Sequence, residues 1–234
     1  PIQLPLGEEV EHKGVIDLIE MRAVTFEGES GRDVVYHPIP EKLLEDAKIA
    51  RISMIEKCAD VDDAIAELVI EDKTDQVTNE MIRLALRKGT LSFKLVPVVC
   101  GSAYRYKGIQ EMLNAVLYYL PSPFDLPPSE ATDMRDQEKK YTLPCDPVGP
   151  LAIMAFKTVT EQHGDLTYLR IYSGTLKQGD SVYNARLKKR ERITRLWRMF
   201  AIDREPMAEA VAGDIVAAVG LAQSATGDTL CNEE

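Results

Sequence analysis

The sequence predicts a multidomain α+β protein in which an α/β part precedes an antiparallel β-barrel. Its 234 residues exceed the roughly 100 to 200 residues of one average domain. Apolar residues recur at helical spacing between residues 41 and 120, whereas short strand-like runs separated by turns follow residue 150. The stretch between residues 121 and 150 is rich in proline and has no apolar period, so we assign residues 123–149 to a Pro-rich linker. The domains are then residues 1–122 and 150–234.

A hairpin is the first element expected. Residues 15–26 form one strand-like run that ends at the turn 28–31, and residues 34–36 can return antiparallel to it. These two segments predict a pair of antiparallel strands.

Three helices are expected next. Pro40 precedes an apolar set at helical spacing, which predicts a helix of about 18 residues. Asp60, Asp62 and Asp63 open a second helix, and Thr78 can cap a third.

A strand, a loop and a helix complete the first domain. Residues 95–100 are an unbroken apolar run, which predicts a strand buried on both faces of a parallel sheet. Gly101, Ser102 and Ala103 follow, and then a helix whose apolar residues lie on a single face, namely Ile109, Met112, Leu113, Val116, Leu117 and Leu120. Ligands of open α/β sheets bind at the carboxyl ends of strands, so the loop is a candidate binding site. A plain turn between strand and helix is the alternative.

Short strands predict the barrel of about 85 residues. They are residues 151–160, 166–172, 181–183, 193–200 and 215–221. The pair Gly-Asp recurs at 164, 179, 213 and 227, where we expect tight turns between strands.

Composition limits the possible functions. Apolar residues make up 45% and charged residues 28% of the chain, and no apolar run approaches the roughly 18 residues of a membrane span. The first residue is not Met, and we expect a piece of a longer chain. The four cysteines lie far apart, as do His12, His37 and His163, so we expect reduced thiols in a cytoplasmic protein and neither a metal site nor a catalytic triad.

Charge is distributed unevenly. Residues 1–150 carry 17 Lys and Arg against 27 Asp and Glu, a net −10, whereas residues 151–234 carry 11 against 11. In the neutral half, basic residues crowd into 186–198, on an expected hairpin whose returning strand is 193–200. The sequence leaves open which face of that strand is buried. We assign RNA contacts to Lys188, Lys189, Arg190, Arg192, Arg195 and Arg198; a hairpin tip that is charged only for solubility is the alternative.

Motifs for phosphate chemistry are missing. No Gly is followed by Lys, so there is no Gly-x-x-x-x-Gly-Lys phosphate loop, and Asn-Lys-x-Asp is also absent. Asp146 and Gly149 match Asp-x-x-Gly, but they lie in the predicted linker and we interpret the match as chance. We therefore expect no catalytic residues in this chain.

Several segments resemble one protein family. In the first domain they are Pro-Ile-Gln-Leu-Pro-Leu-Gly at 1–7, Gly-Val-Ile-Asp-Leu at 14–18, Cys-Gly-Ser-Ala at 100–103 with Lys-Gly-Ile-Gln at 107–110, and Leu-Pro-Ser-Pro at 120–123. In the second they are Ala-Phe-Lys at 155–157, Leu-Arg-Ile-Tyr-Ser-Gly at 169–174, Ala-Gly-Asp-Ile at 212–215 and Thr-Gly-Asp-Thr-Leu at 226–230. Their order along the whole chain is similar to that of elongation factor G, a family of translational GTPases.

The resemblance implies a fold and a function. Residues 1–122 would be the carboxyl-terminal part of a P-loop-type α/β GTPase domain, with an α/β insert over residues of about 8 to 94, followed by the family's β-barrel domain. The parent protein would hydrolyse GTP on the ribosome and promote translocation, with GTP or GDP and magnesium as cofactors of the full-length parent and none expected in this chain alone. Gly101, Ser102 and Ala103 would contact the guanine.

The resemblance also implies partners. The barrel would bind small-subunit ribosomal RNA, and the acidic insert would bind the stalk protein of the large subunit. A monomer in the cytoplasm, without membrane contact, is expected. Phe200, where the family usually has His, and Pro206, where it usually has Glu, depart from the pattern and favour a divergent paralogue.

Two other functions are alternatives. A related ribosomal GTPase, such as a class II release factor or a ribosomal protection protein, would tend to lack the full insert. A free-standing RNA-binding barrel would explain the basic residues, but not the Gly-Ser-Ala loop.

Overall fold

The computed structural model describes residues 1–7, 9–161, 164–201 and 203–232, without the side chains of 161 and 164. These residues form two compact units, unit 1 (Pro1–Pro121) and unit 2 (Ser122–Glu234). His163 lies outside the described residues.

Unit 1 contains a four-stranded antiparallel sheet whose spatial order is β1 (Gln3–Leu6), β2 (Gly14–Asp17), β3 (Arg22–Glu27) and β4 (Asp33–His37). The hairpin of β3 and β4 confirms the prediction. The expectation that residues 15–26 form one strand is wrong. Asp17 Oδ1 accepts the N–H groups of Ile19 (2.8 Å) and Glu20 (3.1 Å). This side chain closes a turn, so β2 and β3 are two strands paired with each other.

Three helices follow, α1 (Glu41–Ala59), α2 (Asp63–Ile70) and α3 (Asn79–Leu91), and they confirm the predicted helices. Thr78 Oγ1 accepts the Met81 N–H at 3.2 Å, and Asp62 Oδ1 accepts the Ile65 N–H at 3.3 Å. These caps satisfy amide groups that the first turn of a helix leaves unpaired. The core of unit 1 joins residues of β2 and the turn after it to the helices, including Ile16, Leu18, Ile55, Ile65 and Ile82.

The prediction of a strand buried on both faces at residues 95–100 is wrong. Leu95 and Val99 pack against the core of unit 1, but Val96 is 82% exposed and Val98 is 54% exposed. A strand requires neighbours along its length, and here the Ile2 N–H donates to the Val98 carbonyl at 3.0 Å without a continuing ladder among the described residues. The segment is therefore extended but irregular.

Helix α4 (Ile109–Tyr119) forms as expected and ends before Pro121. Its apolar face, which the sequence placed on a single side of the helix, is exposed, since Leu117 is 78% exposed and Leu113 is 53% exposed. The buried contact of α4 is Tyr119, 3% exposed, which lies in the core of unit 1. The apolar face lacks the regular sheet that residues 95–100 were expected to provide.

Unit 2 is mainly antiparallel sheet. A hairpin of β5 (Ser129–Thr132) and β6 (Lys140–Leu143) lies within the stretch assigned to the linker. The strands after it are β7 (Ala152–Glu161), β8 (Gly164–Ser173), β9 (Thr175–Lys177), β10 (Ser181–Asn184), β11 (Lys189–Arg192), β12 (Arg195–Phe200), β13 (Asp203–Met207), β14 (Glu209–Val211), β15 (Ile215–Val219) and β16 (Thr229–Cys231). The five predicted strands correspond to β7, β8, β10, β12 and β15.

Eight of these strands form one sheet in the order β11-β10-β16-β7-β8-β15-β12-β13, and β9 pairs with β14 separately. The fold class is confirmed, but the ladder does not close into a barrel, because β11 and β13 remain edge strands. Strands β11 and β12 do not pair with each other across Ile193 and Thr194. The Ile193 N–H donates to the Asp180 carbonyl, and the Thr194 N–H donates to the Val219 carbonyl.

Asp side chains close three of the four Gly-Asp turns. Asp180 accepts the Lys177 N–H (2.8 Å), Asp214 accepts the Val211 N–H (2.9 Å) and Asp228 accepts the Ala225 N–H (2.9 Å). At the fourth site, Gly164 and Asp165 are instead the first residues of β8. The turn before β8 lies outside the described residues.

Among the described residues, no helix is long and apolar enough to cross a membrane.

Candidate functional site

The Ser-Ala loop, residues 101–108, connects the irregular segment 95–100 to α4. The Ser102 N–H donates to the Lys107 carbonyl at 2.8 Å, and the Lys107 N–H donates back to the Ser102 carbonyl at 3.0 Å. A Cβ atom on Gly101 would lie only 2.6 Å from the Lys107 carbonyl oxygen. Glycine at 101 therefore permits the two ends of the loop to approach this closely.

Gly108 precedes the first residue of α4 with φ of 81°, in the left-handed region. A Cβ atom there would lie 2.9 Å from the Cys100 carbonyl oxygen. Both the dihedral angle and the contact favour glycine, so the backbone fixes the direction in which α4 leaves the loop.

Side chains of the loop bind other segments of unit 1. Lys107 Nζ donates to the His12 carbonyl at 2.6 Å, and Arg105 donates to the Val10 carbonyl at 2.9 Å. Directly after the loop, in the first turn of α4, Gln110 Nε2 donates to the Gly31 carbonyl at 2.8 Å. The loop is thus held by the β1–β2 connection and by the β3–β4 turn.

The groups left for a ligand are few and polar. Ala103 is exposed, and its N–H makes no hydrogen bond among the described residues; the Ser102 hydroxyl, on a half-buried residue, makes none there either. Burial raises the pKa of the adjacent Cys100 thiol, which keeps it neutral. Neutral donors on an exposed backbone fit the polar edge of a flat base, while the cations of the loop, Arg105 and Lys107, already donate to the Val10 and His12 carbonyls.

The other candidate residues of the sequence do not form a metal site or a catalytic site among the described residues. No group of three or more His, Cys, Asp or Glu side chains could hold a metal ion among the described residues. The four cysteines are free thiols. Asp146 Oδ1 accepts the Val148 N–H at 2.9 Å, so the Asp-x-x-Gly match is a local turn.

Five of the six residues assigned to RNA lie on two separate strands, and the sixth lies in a turn. Lys188 lies in the turn after β10, Lys189, Arg190 and Arg192 lie on β11, and Arg195 and Arg198 lie on β12. The expected hairpin with 193–200 as its returning strand is wrong, because β10 pairs with β11 whereas β12 pairs with β13 and β15. All six residues are exposed. Among the described residues, none of Lys188, Lys189, Arg192, Arg195 and Arg198 forms a salt bridge.

The face of β12 that the sequence left open is now assigned. Leu196 is 1% exposed and lies in the core of unit 2, while Arg195 on the other face is exposed. Beyond Leu196 the strand extends past the core, because Phe200 on the same face is 49% exposed. Both arginines of β12 consequently reach solvent.

Sequence reasoning did not find the polar cluster that holds the β10–β11 turn. Arg186 donates both Nε and a terminal nitrogen to the Asp228 carboxylate, the latter at 2.9 Å. Asn184 Nδ2 donates to Asp228 at 2.8 Å, and Asn184 Oδ1 accepts the Leu187 N–H at 3.0 Å. The available signal was Asp228 in Thr-Gly-Asp-Thr-Leu, a carboxylate beside a buried strand that requires a partner.

The cluster is electrostatically strong. Asp228 is 3% exposed, and hydrogen bonds from the Arg186 guanidinium, together with the Ala225 N–H and the Asn184 amide, hold its pKa well below the usual range despite burial. Arg186, one of the crowded basic residues, is therefore bound internally. Its ion pair places the turn that carries Lys188 and leads into Lys189 of β11.

Comparisons with known proteins agree with this architecture. A family model described as elongation factor Tu domain 2 matches residues 164–231. Over 99% of its length the chain is 48% identical to "Elongation factor G 2" of Geobacter metallireducens and 47% identical to "Elongation factor G 1" of Geobacter sulfurreducens, and it covers 33% of each. It is 44% identical over its full length to "Elongation factor G" of Thermotoga neapolitana, of which it also covers 33%.

Among solved structures, the crystal structure of a Thermus thermophilus protein superposes with a TM-score of 0.75 and 27% identity, covering 100% of this chain and 32% of that one. The chain thus spans about one third of the length of the curated relatives it matches.

Proposed function

We propose that this chain, which belongs to the elongation factor G family, is part of a ribosome-dependent translational GTPase that promotes translocation during protein synthesis. The observation that carries the proposal is the 48% identity to an elongation factor G over 99% of the chain. A match confined to the sheet of unit 2 would be compatible with any translation factor. Here the insert, the Ser-Ala loop and the sheet all align with one kind of protein.

The proposed cofactors of the whole protein are GTP or GDP with magnesium. In this chain Gly101, Ser102 and Ala103 would bind the guanine, through the free Ala103 N–H and the Ser102 hydroxyl described above. Magnesium would stabilise charge at the γ-phosphate, where water cleaves GTP, and the residues that hold both groups are expected outside this chain. The exposed apolar face of α4 supports the same view, because it would be buried if further strands of a GTPase sheet lay beside residues 95–100.

The proposed partner of unit 2 is small-subunit ribosomal RNA. Lys188, Lys189, Arg190, Arg192, Arg195 and Arg198 are exposed cations on the edge strand β11, its turn and β12. Phosphate contacts of this kind give affinity with little sequence preference.

The proposed partner of the insert is the basic stalk protein of the large subunit. Residues Glu45, Ile49, Ile52 and Glu56 share one exposed side of α1, with Ile49 60% exposed and Ile52 46% exposed. Carboxylates around exposed isoleucines are suited to a basic protein with an apolar anchor. We further propose a cytoplasmic location and a monomeric state.

Two alternatives remain distinct from this proposal. A release factor or ribosomal protection protein of the same GTPase class would also bind the ribosome, but would not translocate. A free-standing RNA-binding module would bind RNA without a guanine nucleotide, and it gives no role to the Ser-Ala loop.

The test uses the full-length factor with Lys188→Ala, Lys189→Ala and Arg190→Ala combined. We expect weaker ribosome binding and a salt slope reduced by about two to three, since each lost phosphate contact removes about 0.7 to 0.9. Affinity is measured across salt concentrations, and translocation is measured in the same preparation.

A matched control removes three cations from the β5–β6 hairpin, Arg135→Ala, Lys139→Ala and Lys140→Ala. This control should bind ribosomes as the parent does. If the first variant also matches the parent in both affinity and slope, the β11 residues serve only solubility. If the parent itself fails to promote translocation, the alternatives replace the proposed function.

A further inference from the structure

One cross-strand row of side chains runs over the centre of the unit 2 sheet. Residues directly opposite each other in antiparallel strands point to the same face. The register pairs Pro206 with Trp197, Trp197 with Ala217, Ala217 with Tyr168, and Tyr168 with Lys157. A single row therefore crosses β13, β12, β15, β8 and β7.

This row faces away from the core. Leu196 and Ala218, which alternate with the row along β12 and β15, belong to the core of unit 2, whereas Trp197, Ala217 and Tyr168 do not. Ala217 is itself 0% exposed, while Lys157 and Pro206 at the two ends of the row are exposed. Successive residues of a strand point to opposite faces. The row is consequently on the outer face of the sheet.

A β-bulge adds a second aromatic ring beside Tyr168. The β7–β8 register shifts between Ala155 and Lys157, so Phe156 has no partner across the ladder. Phe156 is 37% exposed, and its ring centroid lies 6.2 Å from that of Tyr168. The bulge thus places two adjacent rings on the outer surface.

Cations accompany the rings. Lys157 Nζ lies 5.6 Å from the Tyr168 ring centroid, and the Arg204 guanidinium carbon lies 5.9 Å from the Trp197 ring centroid. Arg195 is exposed on the same face of β12 as Trp197. We call this set the outer patch: Phe156, Lys157, Tyr168, Arg195, Trp197 and Arg204.

The outer patch contains three cations, in a chain whose net charge is −10. Among the described residues, Lys157 and Arg195 form no salt bridge. The pair of Lys139 and Tyr141 in the β5–β6 hairpin differs, because Asp133 accepts the Tyr141 hydroxyl at 2.8 Å and lies 3.8 Å from Lys139 Nζ. Exposed positive charge beside aromatic rings is suited to an anionic partner with flat groups.

We propose that the outer patch binds unpaired RNA, with bases stacking on Phe156, Tyr168 and Trp197 and with phosphates beside Lys157, Arg195 and Arg204. Stacking requires base faces that a duplex does not expose, so a single strand fits the surface and an intact helix does not. The RNA partner rests on the proposed function, but the residues lie on the face of the sheet and not at the β10–β11 turn. Arg195 alone belongs to both sets.

The chain contains its own probe, because Trp197 is its one tryptophan. A short oligoadenylate, added at low salt, should quench the fluorescence of Trp197. A duplex RNA of equal length should quench it less at the same phosphate concentration. Rising salt should weaken binding with a slope of about −0.7 for each phosphate contact on a single strand.

Variants separate stacking from charge. Tyr168→Leu should reduce affinity for oligoadenylate about tenfold, since it removes one stacking ring and leaves the charge unchanged. Tyr168→Phe should retain the parent affinity. Tyr141→Leu is the matched control, since Tyr141 is also a half-exposed tyrosine beside a lysine, and it should bind as the parent does. Near-ultraviolet circular dichroism of each variant verifies that unit 2 remains folded.

Two results would overturn the proposal. One is an absence of quenching by oligoadenylate in the folded parent. The same result is expected if the outer patch binds a protein and not RNA. The other is equal affinity of Tyr168→Leu and the parent for oligoadenylate, which would show that the RNA is held by charge and not by stacking. Either result leaves the proposed function standing, because ribosome binding and translocation are measured independently on the full-length factor.

Discussion

Asp228 determines the geometry of the basic turn through contacts made by a single carboxylate. It accepts hydrogen bonds from Asn184, Arg186 and the Ala225 N–H while only 3% exposed. Removing a buried acceptor leaves its donors without partners, which costs more than the net value of one hydrogen bond. The Asp228 side chain therefore contributes both stability and the placement of Lys188.

We predict that Asp228→Asn lowers the free energy of unfolding by about 2 to 3 kcal/mol, because the Arg186 guanidinium loses its ionic acceptor. Asp180→Asn is the matched control: it has the same Gly-Asp turn and the same bond to an N–H three residues earlier, without a guanidinium. The control should cost about 1 kcal/mol or less. Urea unfolding of both variants gives the comparison, and equal costs would show that the ion pair contributes nothing.

Acid provides a second measurement of the same ion pair. The pKa of Asp228 is depressed in the folded protein, so its contribution is fully present above about pH 4, the ordinary value for a carboxyl group. This contribution is lost as the pH falls through the lower pKa of the folded state, because the carboxyl group is then protonated in both the folded and the unfolded protein. The stability difference between the parent and Asp228→Asn should accordingly shrink below about pH 4.

Helix α4 is the element whose environment differs most from its sequence pattern. Its apolar side chains have the spacing of a buried face, yet Leu117 is 78% exposed, while Tyr119 makes the buried contact. Arg87 donates to the Tyr118 carbonyl at 2.8 Å, and Arg83 lies over the Tyr118 ring, so α3 holds the helix from the other side.

We predict that Leu117→Gln changes the unfolding free energy of this chain by less than about 0.5 kcal/mol, as for other exposed positions. In the full-length factor the same substitution should cost about 1 to 3 kcal/mol, the transfer free energy of a buried leucine side chain. Leu86→Gln, at a buried position of α3 that is 5% exposed, should destabilise both proteins. Thermal unfolding of the pairs tests the difference, and an equal small effect of Leu117→Gln in both proteins would contradict burial of this face.

Local patterns predicted elements well where the deciding interactions are local. Helices α1, α2 and α3 follow from apolar spacing and from the caps at Asp62 and Thr78, which act within a single turn. Residues 15–26 were harder, because a carboxylate at Asp17 reverses the chain inside a run of strand-forming residues. Residues 95–100 failed for a different reason: whether an apolar run becomes a strand depends on neighbours that can be far along the chain or outside it.

The candidate site was predicted to a similar extent. The Ser-Ala loop was located from its glycine and small residues, and the basic residues from their charge. Their division between β11 and β12 depends on long-range pairing, which charge patterns do not encode. The outer patch was not predicted, because Tyr168 and Trp197 lie far apart in sequence and only the register brings them into one row.

At the scale of the whole molecule, the two halves of the sequence differ in net charge. Residues 1–150 carry the full net −10 while residues 151–234 are neutral. The long-range field therefore attracts basic partners to one half and leaves the other half to short-range contacts. This asymmetry is consistent with a protein partner for the insert and an RNA partner for the sheet.

We predict that the stalk protein, titrated into the chain at low salt, shifts NMR signals of residues 41–94 and that added salt weakens binding severalfold, because electrostatic attraction is screened. Glu45→Gln with Glu56→Gln should weaken binding, whereas Asp136→Asn with Glu138→Gln in the β5–β6 turn should not. Unchanged signals in residues 41–94 at low salt would rule out docking on the insert.

The two glycines of the Ser-Ala loop have a consequence for how the sequence can diverge. The approach of Gly101 to the Lys107 carbonyl and of Gly108 to the Cys100 carbonyl leaves no room for a Cβ atom at either position. The intervening Tyr104, 93% exposed, meets no such restriction. Descendants of this chain can therefore exchange the side chain at position 104 freely, while two glycines separated by six residues should be retained.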